Sequence, residues 1–197
     1  MPRQVDHDVR RSEVAEVTCN LIAREGVEAT TVRRVAEEAN CSTTIVSHYF
    51  ANKHDLLLFC YRMSAANSQA RINAVIERNA ADLQGCLEAL LPLDHARQRD
   101  WAVWLALWSM AVGTTEFHRE HQSWFQAAVK LISAIAEAKW GIKTARSRAH
   151  YKIEARRLFA LVSGLAAQAV FAPAGFTPRT MREMVAVEID RIEQSRR

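Results

Sequence analysis

The residues best equipped for chemistry lie between Ser42 and Lys53. Ser42, Thr43, Thr44, Ser47 and His48 place four hydroxyls and an imidazole within seven positions, followed by the phenol of Tyr49 and the ammonium of Lys53. Hydroxyls bond phosphate oxygens or base edges, a threonine methyl can touch a thymine methyl, and His48 can donate to a phosphate or a guanine acceptor. Thr31, Arg33 and Arg34 precede this stretch, and Arg10 and Arg11 lie farther upstream. Their cations suit the backbone of a polyanion.

A second group is aromatic. Trp101, Trp104 and Trp108 are spaced by 3 and 4 and share a helical face, with Phe117, Trp124 and Phe125 following. That stripe reads either as a large-residue core or as the wall of a pocket for a flat apolar molecule or a quaternary ammonium ion, with Asp100 or Glu116 as counter-charge. His118 and His121 are three residues apart beside Glu116 and Glu120, short of the four ligands a structural metal site wants. There is no glycine-rich phosphate loop, no HExxH and no Gly-x-Ser-x-Gly elbow. No enzyme chemistry, metal or cofactor is expected.

These groups need helices to position them. Apolar residues at Val14, Val17, Leu21 and Ile22 mark one helical face over 10–25, and Gly26 ends it. Thr30 or Thr31 caps a short helix through about Ala39, Asn40 makes a sharp turn, and Ser42 caps the next. There Ile45, Val46, Tyr49 and Phe50 are expected to face inward. Asn52 caps a long helix from Lys53 to about Asn79. Further helices are expected near 80–90, 95–112, 115–140, 148–171 and 178–193. A polar, basic connector falls at 142–147, and Pro178 opens the last helix. Two short helices around a tight turn, with a polar outer face, can present the second to a DNA major groove.

Composition agrees with an all-α chain. Of 197 residues, 49% are hydrophobic and 24% charged, with only 6 Gly and 4 Pro. No run of 18 apolar residues exists, so no membrane association is expected. Arg3, Asp6, Asp8, Arg10 and Arg11 occupy the place a signal peptide's apolar core would fill, and a cytoplasmic protein is expected. Cys19, Cys41, Cys60 and Cys86 form no CxxC pair and read as buried free thiols. The net charge of +4 is unevenly spread: residues 1–62 carry eight basic and nine acidic side chains, whereas 139–157 set seven cations against Glu154 alone. That basic run reads as a solvated face or as a second surface for an acidic partner.

The stretch from Gly26 to Leu57 resembles the DNA-binding domain of the TetR family of transcriptional regulators. It carries the glycine, the paired Thr30-Thr31, the Val35-Ala36 step, the Ser42-capped helix ending Tyr49-Phe50, and Lys53-x-x-Leu56-Leu57. Asn40 stands where the family usually has glycine, and Cys41 where it usually has valine. The Trp101–Trp108 segment and Leu161-Val162-x-Gly164-Leu165 resemble the choline-responsive, BetI-like branch of that family.

The resemblance implies a three-helix, helix-turn-helix DNA-binding domain (1–52) and a helical ligand-binding and dimerisation domain (53–197). It implies a homodimer on a double-stranded palindromic operator, and a small-molecule effector (choline or a related compound for the BetI-like branch) that alters the spacing of the reading heads. Arg11, Thr31, Arg33, Ser42, Thr43, Thr44, Ser47, His48, Tyr49 and Lys53 are expected at the DNA. Trp101, Trp104, Trp108, Phe117 and Trp124 are expected at the effector. Dimerisation through the last two long helices is expected to use Leu158, Leu161, Val162, Leu165, Val170, Met184 and Ile189. The alternatives are an unrelated apolar or aromatic effector, or a helical interaction module that keeps the head but does not repress.

Overall fold

The computed structural model describes the backbone of residues 2–141 and 144–195, and the side chains of these except 2–6, 146 and 147. Most of the expected basic connector at 142–147, with Lys143 and Arg146, therefore lies outside the described residues. Those described form an all-α chain: α1 (Pro2–Ala29), α2 (Val32–Glu38), α3 (Thr43–Tyr49), α4 (Lys53–Arg78), α5 (Leu83–Leu90), α6 (His95–Gly113), α7 (Thr115–Trp140), α8 (Ala145–Phe171) and α9 (Pro178–Gln194).

Local chemistry sets the boundaries. Gly26, at φ +81°, kinks α1 one turn before its end rather than stopping it. Thr31 Oγ1 accepts from Arg34 N at 3.1 Å, Ser42 Oγ from Ile45 N at 3.3 Å, and Asn52 Oδ1 from Asp55 N at 2.9 Å. Each such cap contributes about 1 kcal/mol. Thr177 caps α9 in the same way, ahead of Pro178. Asn40 takes the left-handed turn conformation at φ +50°, replacing a glycine without loss of shape.

Two apolar cores share the molecule. The first joins Val14, Leu21 and Ile22 of α1, Val35 of α2, Val46 of α3 and Leu57 of α4 to Trp101, Trp104 and Leu107 of α6. The core of the three-helix head thus runs on past residue 52 into α6, without a gap. The second joins Ile72 of α4 and Leu87 of α5 to Ile132 of α7, Leu158 and Val162 of α8, and Val185 and Ile189 of α9.

The second core corrects part of the expected dimer surface. Leu158, Val162, Leu165 and Ile189 are buried inside the protomer, so none can meet a partner without opening its own core. Leu161 and Val170 are half-buried. The outward apolar side of α8 is instead Ile153, Ala160, Gly164 and Phe171, beside Met184 and Val187 of α9. The error has a simple cause. α8 is apolar on two sides, and periodicity does not say which side the protomer keeps.

Candidate nucleic-acid interface and effector chamber

α3 is anchored by Val46 and Phe50, both buried, while Ser42, Thr43, Thr44, Ser47 and His48 are exposed. Ile45 corrects the expected packing: it is 39% exposed and joins the outer face, adding a methyl surface suited to a thymine methyl. His48 and Tyr49 lie edge-on to one another and to His7 of α1, with ring centroids 4.7–5.4 Å apart. The start of α1 therefore steadies the exposed end of α3, which nothing in the spacing of His7 announced.

The expected phosphate-binding cations are mostly engaged. Lys53 Nζ donates to Val27 O at 2.7 Å, tying α4 to the end of α1 and leaving two ammonium donors. Arg11 lies 4.5 Å over the Phe59 ring and 5.1 Å over Phe50, and 4.0 Å from Asp55. It buttresses the head from inside. Arg34 pairs with Glu25 at 3.0 Å and Glu38 at 3.4 Å, and Arg24 pairs with the same two carboxylates. Arg34 first and then Arg24 hold the Glu25 carboxyl below its ordinary range. Arg33 is the freest: its pair with Glu37 is fully out in water, where such pairs hold weakly and exchange for a phosphate. Thr31 is exposed beside it while its hydroxyl caps α2.

Behind the head, aromatic side chains of α4, α6 and α7 pack into one cluster. Trp101 is buried and donates from Nε1 to Leu90 O at 2.6 Å, and Phe117 is wholly buried; both are core. Trp104 is buried too, yet its indole N–H has no partner. It stacks toward Trp101 at 5.0 Å and Trp124 at 5.7 Å. Trp108 and Trp124 are half-buried. Tyr61, missed in the sequence because it sits in the apolar stripe of α4, places its hydroxyl 3.0 Å from His121 Nδ1. Burial, and then Glu120, pushes the Tyr61 phenol up, so it stays protonated. Burial, and then His118, holds His121 below the usual histidine range. The contact thus joins a protonated phenol to an imidazole that burial keeps neutral more readily.

A crevice of about 270 Å³ lies at the edge of this cluster between α4 and α7, lined by Tyr61, Arg62, Ala65, Ala66, Glu120 and Trp124 among others. Glu120 is held by Arg62 across its mouth. The carboxylates expected as counter-charges are elsewhere. Asp100 is buried against Arg71 and Arg99, and Glu116 is outside, 2.6 Å from His54. Glu120 is the acid that faces the aromatic rings.

A further network joins the head to this region. Arg99 of α6 reaches Glu16 of α1 at 2.6 Å and Asn20 at 3.3 Å, and its neighbour Asp100 receives Arg71 of α4 at 3.0 Å. α1 packs chiefly against α6 and also against α4, so both helices join the head to the body.

A three-helix head with an outward polar helix, set on a helical body with a small crevice between α4 and α7, defines a helix-turn-helix regulator. Residues 15–59 match the profile of the bacterial regulatory proteins of the tetR family, and residues 79–193 that of the BetI-type transcriptional repressor C-terminal domain. The chain belongs to the TetR family, as a DNA-binding transcriptional regulator related to the BetI-type repressors. It is 29% identical over 196 residues to the HTH-type transcriptional regulator PksA of Bacillus subtilis, covering 98% of this chain and 94% of that one. A crystal structure of a transcriptional regulator from Rhodococcus sp. Rha1 superposes with a TM-score of 0.83 at 28% identity, over 94% of this chain and 96% of that one. A regulator from Saccharomonospora viridis in complex with choline shares the fold, with a TM-score of 0.72 at 23% identity over 91% and 95% of the two chains. Among the described residues no helix is long and apolar enough to cross a membrane.

Proposed function

We propose that the chain is a repressor that binds a palindromic operator as a homodimer and lets go when a small cationic effector enters the crevice beside Tyr61 and Trp124. The head, 1–52, inserts α3 into the major groove; the body, 53–197, senses and dimerises. The observation that carries this reading is the face of α3. Ser42, Thr43, Thr44, Ile45, Ser47 and His48 all face out while Val46 and Phe50 fix the helix from behind. Arg33, Thr31, Tyr49 and the remaining donors of Lys53 then meet the flanking phosphates, with Arg11 holding the head in shape.

The dimer reading rests on surface. A compact monomer of 22.3 kDa has about 9,400 Å² of accessible area, whereas this protomer exposes 11156 Å². Phe171 is 75% exposed, Met184 and Val187 of α9 are exposed as well, and a Cβ on Gly164 would meet nothing within 4 Å inside the protomer. Such a face suits a second helix pair at close approach, and a two-fold axis suits a two-fold operator.

The effector reading rests on the crevice. A crevice of about 270 Å³ is below the usual range for drug-sized ligands, so it favours a small molecule. A quaternary ammonium there displaces Arg62 from Glu120 and lies against Trp124, a cation–π contact of roughly 0.5–2 kcal/mol. Choline has this chemistry, and the likeness to BetI-type repressors supports it. The test is selection of bound fragments from sheared genomic DNA, followed by footprinting. Two protected half-sites about one helical turn apart are expected; a single or sequence-blind footprint overturns the reading.

A further inference from the structure

The tertiary structure answers much of the basic run at 139–157. Lys139 pairs with Glu193 at 3.2 Å, Arg157 with Glu154 and Glu188 at 2.8 and 2.6 Å, and Arg148 lies 3.9 Å from Glu137. Lys152 and Arg156 are different. They stand one turn apart along one edge of α8, facing Lys130 of α7, and among the described residues none of the three makes an ion pair. Between them runs a groove of about 570 Å³. Its apolar lining is Phe125 and Val129, with Ala134 exposed at the edge. Ser133 also lines it, 6% exposed, with its hydroxyl unpartnered.

We propose that this α7–α8 groove binds a small amphiphilic anion. The apolar body lies along Phe125 and Val129. The anionic head is held by Lys152, Arg156 and Lys130, and receives the Ser133 hydroxyl. With Arg148 and Glu137 counted, the walls carry four cations and one carboxylate, a net of +3. An uncharged ligand leaves three cations crowded and unanswered, and a small inorganic anion leaves the apolar lining wet. A volume of this size is ordinary for an organic ligand. The groove is separate from the crevice beside Tyr61 and from the head, so the inference stands apart from the choline reading.

The chemistry fits a carboxylate or a phosphate monoester on a short alkyl chain. Calorimetric titration of the full-length protein with octanoate, octyl phosphate and 1-octanol tests it. Both anions, or one of them, should bind and the alcohol should not; the tighter anion names the head group. The variant Lys152→Glu/Arg156→Glu should weaken anion binding at least tenfold, with unfolding temperature and choline response unchanged. Lys152→Arg/Arg156→Lys should retain it. Ser133→Ala, which keeps every charge, should weaken it a few-fold. The inference is overturned if neither anion binds, if octanol binds as well, or if the charge-reversed variant binds unchanged.

Discussion

The Asp100 carboxylate, 1% exposed, receives Arg71 Nη1 at 3.0 Å and so pins α6 to α4. Asn67 Nδ2 and Arg99 Nη2 approach its other oxygen at 3.4 and 3.5 Å. Removing the carboxylate strands Arg71 at a partly buried site, while Arg99 keeps Glu16 and Asn20. Asp100→Ala should lower stability by about 3 kcal/mol, because breaking a buried pair leaves the surviving charge uncompensated. Asp100→Asn keeps the shape and should lower it less. Chemical denaturation of the two variants gives the comparison.

Arg99 carries the same network to α1 through Glu16. Glu16→Gln removes this charge contact from a half-exposed position with little change in stability. In the proposed mechanism it should reduce the effector's ability to weaken operator binding, while affinity without effector is kept. Operator titration with and without choline separates the two quantities.

On the reading head, folding and recognition separate by residue. Ser42→Ala removes the α3 cap and should lower stability by about 1 kcal/mol. Thr44→Ala touches no internal partner and should leave stability unchanged. His48→Ala and Ile45→Ala likewise act on the outer face. Each of these three is expected to reduce operator affinity about tenfold, on the scale of 1–3 kcal/mol for a base contact. Melting curves beside fluorescence anisotropy show whether the losses fall as described.

The aromatic stripe divides in the same way. Trp104→Ala opens a cavity in the first core and should lower stability by about 3–5 kcal/mol. Trp124 is at the rim of the crevice, so Trp124→Ala should fold and lose the choline response. Burial holds His121 below about 6.5, the ordinary value. As pH falls below that value the unfolded chain takes up the proton more readily than the folded one, so stability is lost on the acid side. The melting temperature should drop between pH 7.5 and 5.5, and His121→Gln should flatten part of that drop. An unchanged slope in the variant would count against the neutral-imidazole contact to Tyr61.

Much of this was legible in the sequence where the cause is local. Thr31, Ser42 and Asn52 cap the helices they precede, Pro178 opens the last, and Asn40 takes the turn, because capping and φ preference act within a few residues. What depends on a distant partner was not legible. Lys53 reads as a free cation until Val27 O is seen beside it, and Arg11 until Phe50 and Phe59 are. Asp100 meets Arg71 across helices, with no sequence spacing to announce it. Ile45 and the α8 stripe failed for another reason: periodicity finds an apolar side but not what covers it.

The outward side of α8 and α9 separates dimer loss from unfolding. Phe171→Glu, with Met184→Glu, should give a folded monomer by analytical ultracentrifugation that binds operator weakly. Val162→Ala, inside the protomer, should instead lower the melting temperature and leave the oligomeric state alone.

The most direct test of the central claim is anisotropy titration of the genomically selected operator, with and without choline, at fixed salt. The proposed mechanism predicts tight binding by a dimer to a palindromic site, and a weakening of at least tenfold by choline that Trp124→Ala removes. Weak binding that ignores sequence and falls only with salt would contradict operator recognition. Tight binding indifferent to choline would contradict the proposed effector.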